Sequence, residues 1–196
     1  DSLTGSDNAT IMGGDGNDTL SFDGNNSILG EALGGDGNDV LRGGAGNDSI
    51  KGGAGNDIIE DGLGSDEVSG GSGDDLIIWR PGATRDRDEL KGGRGQDSLQ
   101  LEFTAAQWAS SALRADITRL QAYLTSSPSA HPRHSDRGFE FRSYRLEVID
   151  FETLIVKVDG VAVIGGQDTT PPAAPTLALS AASDSGLAGD RITSDI

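Results

Sequence analysis

The sequence predicts an all-β-dominated chain: a parallel two-sheet β-solenoid, or β-roll, followed by a C-terminal α+β cap. Three observations predict it. A nine-residue phrase recurs at fixed spacing through the first half. Its glycines fall where the backbone must turn, and its one large aliphatic residue falls where a short strand must face inward. Beyond residue 100 the phrase stops, and helix and hairpin signals replace it.

The phrase is plainest in GGAGNDSIKGGAGNDIIE, residues 43–60, where it is written twice. Copies also open at Gly13, Gly34, Asp61 (a worn copy, DGLGSDEVS), Gly70 and Gly92. From 34 to 78 the register is unbroken. ATRDRDELK (83–91) fits after the insertion WRPG (79–82). TGSDNATIM (4–12) and NNSILGEAL (25–33) fit too, but lack the aspartate. The sixth position reads Asp18, Asp39, Asp48, Asp57, Asp66, Asp75, Asp88 and Asp97. The eighth reads Leu20, Leu41, Ile50, Ile59, Val68, Ile77, Leu90 and Leu99.

Positions one to six must turn; positions seven to nine form a short strand whose middle side chain points to one face. One copy makes half a coil, so copy i stacks on copy i+2. One aliphatic side chain per copy cannot offset the entropy of ordering nine glycine-rich residues. Something must bind the folded state and not the unfolded one. The charge says what. The chain has 15 Lys+Arg, 32 Asp+Glu and a net charge of −17, with 20 acids and 7 bases in residues 1–100. Such an acidic half repels nucleic acid and anionic membranes and attracts cations. Stacked aspartates and turn carbonyls offer hard oxygens, of which calcium takes roughly six to eight.

The consensus G-G-x-G-x-D-x-U-x, with U a large apolar residue, resembles the RTX (repeats-in-toxin) calcium-binding nonapeptide family. The resemblance covers about half of the chain and implies a calcium-loaded roll over residues 4–100. The metal ligands it implies are the eight sixth-position aspartates and the turn glycines Gly34, Gly35, Gly37, Gly43, Gly44, Gly46, Gly52, Gly53, Gly55, Gly70, Gly71, Gly73, Gly92, Gly93 and Gly95. Pairing copy i with i+2 puts Asp39 with Asp57, Asp48 with Asp66, Asp57 with Asp75, and Asp75 with Asp97. Weaker pairs are Asp66 with Asp88, whose copy has no glycines, and Asp18 with Asp39, which needs 25–33 to act as an ordinary half coil. About five or six calcium ions are expected, one per good pair.

Residues 101–124 read as a helix: Thr104 is an N-cap with Gln107 completing a capping box, and Trp108, Ala112, Ala115, Leu120 and Leu124 fall near helical spacing. Trp108 is expected to pack on the last coil. Residues 126–138 are a polar, proline-broken loop, and 139–165 are strand-rich, with Asp159-Gly160 a hairpin turn. Together 101–166 would cap the exposed end of the solenoid. Residues 167–175 are a proline-stiffened linker, and 176–196 resemble the start of a bacterial immunoglobulin-like repeat that the sequence does not complete.

Catalytic readings are weak. His131 and His134, near Asp136, lack a third zinc ligand and a fixed scaffold. The glycine turns carry Asp where a phosphate loop needs Lys. The repeated carboxylates read more simply as ligands than as glycosidase pairs. There is no cysteine, no apolar run long enough to span a membrane and no signal-peptide pattern at the start. The resemblance implies a structural module of a secreted or cell-surface bacterial protein, with an adhesin as the leading parent. It would be exported unfolded by type I secretion and fold in calcium outside the cell. Its expected partners are calcium and the flanking domains of the same chain. An accessory roll on a secreted protease, lipase or epimerase, and an S-layer subunit, are the alternatives. Ice binding is disfavoured, because the third position (Asp15, Asp36, Ala45, Ala54, Leu63, Ser72, Arg94) presents no regular surface.

Overall fold

The side chain at position eight decides the architecture. In a computed structural model, which describes residues 1–5, 9–22, 30–82, 86–125 and 138–164, all eight of these aliphatics are buried at no more than 1% exposure. The strands that carry them run β1 (Ser2–Gly5), β2 (Thr10–Asp15), β3 (Thr19–Phe22), β4 (Glu31–Asp36), β5 (Val40–Arg42), β6 (Ser49–Ala54), β7 (Ile58–Glu60), β8 (Glu67–Ser72), β9 (Leu76–Trp79), β10 (Arg87–Arg94) and β11 (Ser98–Phe103). Odd-numbered strands stack in one sheet and even-numbered strands in the other, all parallel. The core is two facing columns. Leu3, Leu20, Leu41, Ile59, Ile77 and Leu99 are in register in one sheet, and Ile11, Ala32, Ile50, Val68 and Leu90 in the other.

Copy i therefore lies on copy i+2, as the repeat predicts. The described end of the copy at 25–33 takes the expected place in the stack: Ala32 stands between Ile11 and Ile50. The strands are unequal, which the nine-residue pattern does not show. Those of the first sheet up to β9 span three or four residues, but β4, β6 and β8 run on through the first three positions of the next copy. Their ladders continue through Gly35, Gly53, Gly71 and Gly93.

Gly53 shows why position two needs glycine. Its φ is +121°, and a β-carbon there would collide with the Gly35 carbonyl of the coil beneath. Gly14 is also left-handed (φ +99°) but faces open space. Gly14→Ala is thus expected to cost only the left-handed backbone penalty, about 1–2 kcal/mol. Gly53→Ala adds the steric separation of two coils, so its melting temperature in calcium should fall further. Equal losses would show that stacking distance is not what selects glycine there.

After β11 come α1 (Ala105–Trp108) and α2 (Ser111–Thr125), then β12 (Phe139–Glu140), β13 (Arg145–Ile149), β14 (Thr153–Val158) and β15 (Val161–Ile164). The capping box forms as expected, with Thr104 Oγ1 accepting from Gln107 N–H and Gln107 Oε1 accepting from Thr104 N–H. The expected helix from 101 is corrected: residues 101–103 belong to β11, which pairs with β14. The expected face is corrected in part. Trp108 and Leu120 are buried as expected, but Ala112 and Ala115 are exposed, and Leu113 and Ile117 are buried instead. The break at Ala109–Ser110 between the two helices resets the phase of the apolar stripe. Trp108 is buried against Phe103, ring centroids 6.3 Å apart. β14 and β15 form the predicted hairpin, with Asp159 and Gly160 both at positive φ.

The segment 145–158 does more than cover the end. β13 stacks in parallel on β10 and β14 on β11, with Leu90 opposite Val148 and Leu99 opposite Leu154. It adds one further coil without the repeat consensus. The two histidines, the proline-rich linker and residues 176–196 lie outside the described residues.

Candidate metal centre

Each sixth-position aspartate but Asp88, which is the second residue of β10, immediately precedes a strand, so its side chain is held at the coil edge. One carboxylate oxygen is used structurally. Asp18, Asp39, Asp48, Asp57, Asp66 and Asp75 donate their backbone N–H to Oδ1 of Asp39, Asp57, Asp66, Asp75, Asp88 and Asp97, at 2.7–3.1 Å. These are the six pairs expected from the spacing. They form two edges: Asp18, Asp39, Asp57, Asp75 and Asp97 on one, and Asp48, Asp66 and Asp88 on the other. Where the copy at 25–33 lacks the aspartate, Gly30 N–H donates to Asp48 Oδ1 at 2.9 Å.

The other oxygen is not used. Oδ2 of Asp18, Asp39, Asp48, Asp57, Asp66, Asp75 and Asp97 is buried without a hydrogen-bond partner. An unpaired buried charge is among the costliest features a fold can carry. Burial pushes the carboxyls of Asp48, Asp57 and Asp97 up to about 6, that of Asp75 to about 7 and that of Asp66 to about 8. The neighbouring aspartate charges add to the shift at Asp57, Asp66 and Asp75. Asp116 on α2 is the contrast. It is equally buried but saturated, accepting from Ser143 N–H (2.7 Å), Ser143 Oγ (2.6 Å) and Arg119 Nη1 (2.6 Å).

The orphan oxygens face backbone carbonyls. A β-carbon at Gly52 would collide with Asp57 Oδ2 and stand 2.6 Å from Gly70 O. At Gly13 it would stand 2.6 Å from Asp18 Oδ2 and 2.5 Å from Gly34 O. Position one is therefore glycine because a carboxylate and a carbonyl converge there. Oxygen-only donors, negatively charged and shielded from water, suit a hard cation such as calcium. The glycine expectations divide accordingly. Gly34, Gly52, Gly70 and Gly92 place their carbonyls beside stacked carboxylates. Gly35, Gly53, Gly71 and Gly93 are members of a β-ladder, and Gly44 O accepts Leu63 N–H at 2.8 Å. Gly37, Gly55, Gly73 and Gly95 lie in the turns, as do Gly43 and Gly46.

Three features escaped the sequence reading. Position five carries a second ladder: Asn17, Asn38, Asn56 and Asp74 accept from the backbone N–H of Asn38, Asn56, Asp74 and Gln96, and Asn47 from Ser65. The recurrence of Asn before Asp was the available signal. Secondly, the added coil extends the first edge. Asp97 N–H donates to Glu152 Oε2 at 2.8 Å, and Asp150 contributes another buried, unpartnered Oδ2. Thirdly, Asp61 is buried beside Asp66 and Asp88. Asp88 itself stacks as expected despite its glycine-free copy, but its Oδ2 accepts Trp79 Nε1–H at 2.7 Å.

Fold and site together define a parallel β-roll built to hold cations between its coils. Residues 3–32, 33–60 and 55–78 match the RTX calcium-binding nonapeptide repeat, in four copies. Over that span the chain belongs to the RTX repeat family, whose nonapeptides bind Ca²⁺. No curated protein and no solved structure matches the chain. The roll is a structural calcium-binding module. No helix among the described residues is long and apolar enough to cross a membrane.

Proposed function

We propose that this chain is a calcium-dependent folding module of a larger secreted or cell-surface bacterial protein of adhesin type. It is exported unfolded, by type I secretion, and folds on meeting calcium outside the cell. The observation that carries this reading is the row of buried, unpartnered Oδ2 atoms on register-stacked aspartates. Such a row is unstable without cations and is therefore conditional on them. Extracellular modules bind calcium at roughly 10⁻⁴–10⁻³ M, a range that leaves the roll unfolded at cytosolic calcium. The adhesin assignment is supported by the proline-rich 167–175 stretch and the immunoglobulin-like start at 176–196.

The ligands we assign are the sixth-position aspartates with the carbonyls of positions one and four. The six aspartate pairs correspond to about five or six ions. Asp97, Asp150 and Glu152 add one more at the junction with the cap. Equilibrium dialysis of the full chain against labelled calcium tests this. Several bound ions per chain are expected, and binding no greater than a chelator blank would overturn the reading.

A further inference from the structure

The copy at 61–69 departs from the consensus at its first letter, and the structure gives that departure a place. Asp61 stands where the preceding copies begin with Gly43 and Gly52. It is 2% exposed, and Asp66 and Asp88 are equally enclosed. One carboxylate oxygen from each of the three lies within 4.8 Å of the other two. No lysine, arginine or histidine among the described residues pairs with any of them.

The three carboxylates are held from different directions. Asp61 Oδ1 accepts Gly62 N–H at 2.9 Å. Asp66 Oδ1 accepts Asp48 N–H at 2.7 Å. Asp88 accepts Asp66 N–H on one oxygen and the Trp79 indole N–H on the other. Asp66 Oδ2 is buried among them with no partner at all. The other stacked aspartate pairs of the repeat have glycine at position one, and the Asp97, Asp150 and Glu152 set lies outside the repeat, at the junction with the cap. Here a third carboxylate is supplied, and in the coil that most needs it. The neighbouring copy at 83–91 has no glycines, and the insertion 79–82 interrupts the repeat just before it.

We propose that Asp61 joins the Asp66–Asp88 pair as a third carboxylate, making a cation site that fills before the two-aspartate sites and seeds the stacking of the second edge. Cation affinity in oxygen sites rises with the number of charged ligands and with their rigidity. Burial keeps the attraction from being screened by salt. Trp79 belongs to this site by contact, and its packing against Tyr144 at 5.4 Å ties the site to the capping segment. The inference rests on the reading that the roll binds cations, but it is separable from it.

Terbium chloride alone, titrated into the full chain, provides the test. Tryptophan-sensitised terbium emission reports on an ion beside Trp79, and far-ultraviolet circular dichroism reports on folding of the whole roll. In the unmutated chain the emission is expected to saturate at lower terbium than the dichroism. Asp61→Gly restores the repeat's own residue, and Asp61→Asn keeps the shape without the charge. Each should raise the emission midpoint by roughly tenfold or more, with the folded dichroism signal still reached at saturation. Asp36→Asn, at an exposed third-position carboxylate outside the assigned ligands, should leave that midpoint in place. An emission midpoint unmoved by both Asp61 substitutions, or emission that appears only after the dichroism is complete, overturns the proposal. The order of the two signals in the unmutated chain decides the matter even where a variant does not fold. A chain that shows no change with calcium either would instead sink the module reading itself.

Discussion

Stripping calcium from the full chain with a chelator is expected to remove most of its strand signal in circular dichroism, and returning calcium should restore it. The reason is arithmetical as well as electrostatic. The core offers one aliphatic side chain per half coil, and the turns are glycine-rich, so the uncharged contributions are thin. Against them stand, among the described residues, eight buried aspartate oxygens with no partner. A site held at about ten times its Kd contributes roughly 1.4 kcal/mol to the folded state. Over the stacked pairs this amounts to several kcal/mol, comparable with the whole stability of a small domain. The transition should be steep in calcium, because each ion joins copies that also share a neighbour's ion. Strand content that is the same in chelator and in calcium would sink this account.

Replacing Asp57 by alanine should damage two sites on one edge and spare the other edge. Asp57 Oδ1 accepts Asp39 N–H at 2.8 Å, and Asp57 N–H donates to Asp75 Oδ1 at 2.9 Å. Its carboxylate serves both steps, with Oδ1 on Asp39 N–H and Oδ2 converging with the carbonyl of Gly70, which opens the Asp75 copy. Alanine also leaves Asp39 N–H buried without its acceptor, which costs about 1–3 kcal/mol. Asp48, Asp66 and Asp88 lie on the opposite edge and keep their backbone N–H donors Gly30, Asp48 and Asp66. Ion counts in crystals of the variant check this directly. Losses from the first edge alone are expected, whereas losses spread equally over both edges would refute the pairing.

Much of this architecture is legible in the letters. A period of nine with one aliphatic residue forces i to i+2 stacking, and Leu20 through Leu99 are buried as that logic requires. The six aspartate pairs follow from the same step, even across the imperfect copy at 25–33 and the insertion at 79–82, because the ladder on either side re-establishes the register. The capping box at Thr104 and the Asp159-Gly160 turn are local and were readable for that reason. The face of α2 was not, because a break at Ala109–Ser110 shifts the helical phase and no letter marks by how much.

The sequence by itself determined the repeat, its inward column, its two acidic edges and the need for a cation. These depend on contacts between residues of equal position in equivalent copies, so periodicity alone encodes them. Only the tertiary structure decided that residues 145–158 add a coil, that Glu152 takes the place of a sixth-position aspartate, and that Asp61 turns toward Asp66 and Asp88. Each of these joins residues that share no repeat position. Their meeting is fixed by where the stacked backbone carries them, and a pattern along the chain has no means of recording it.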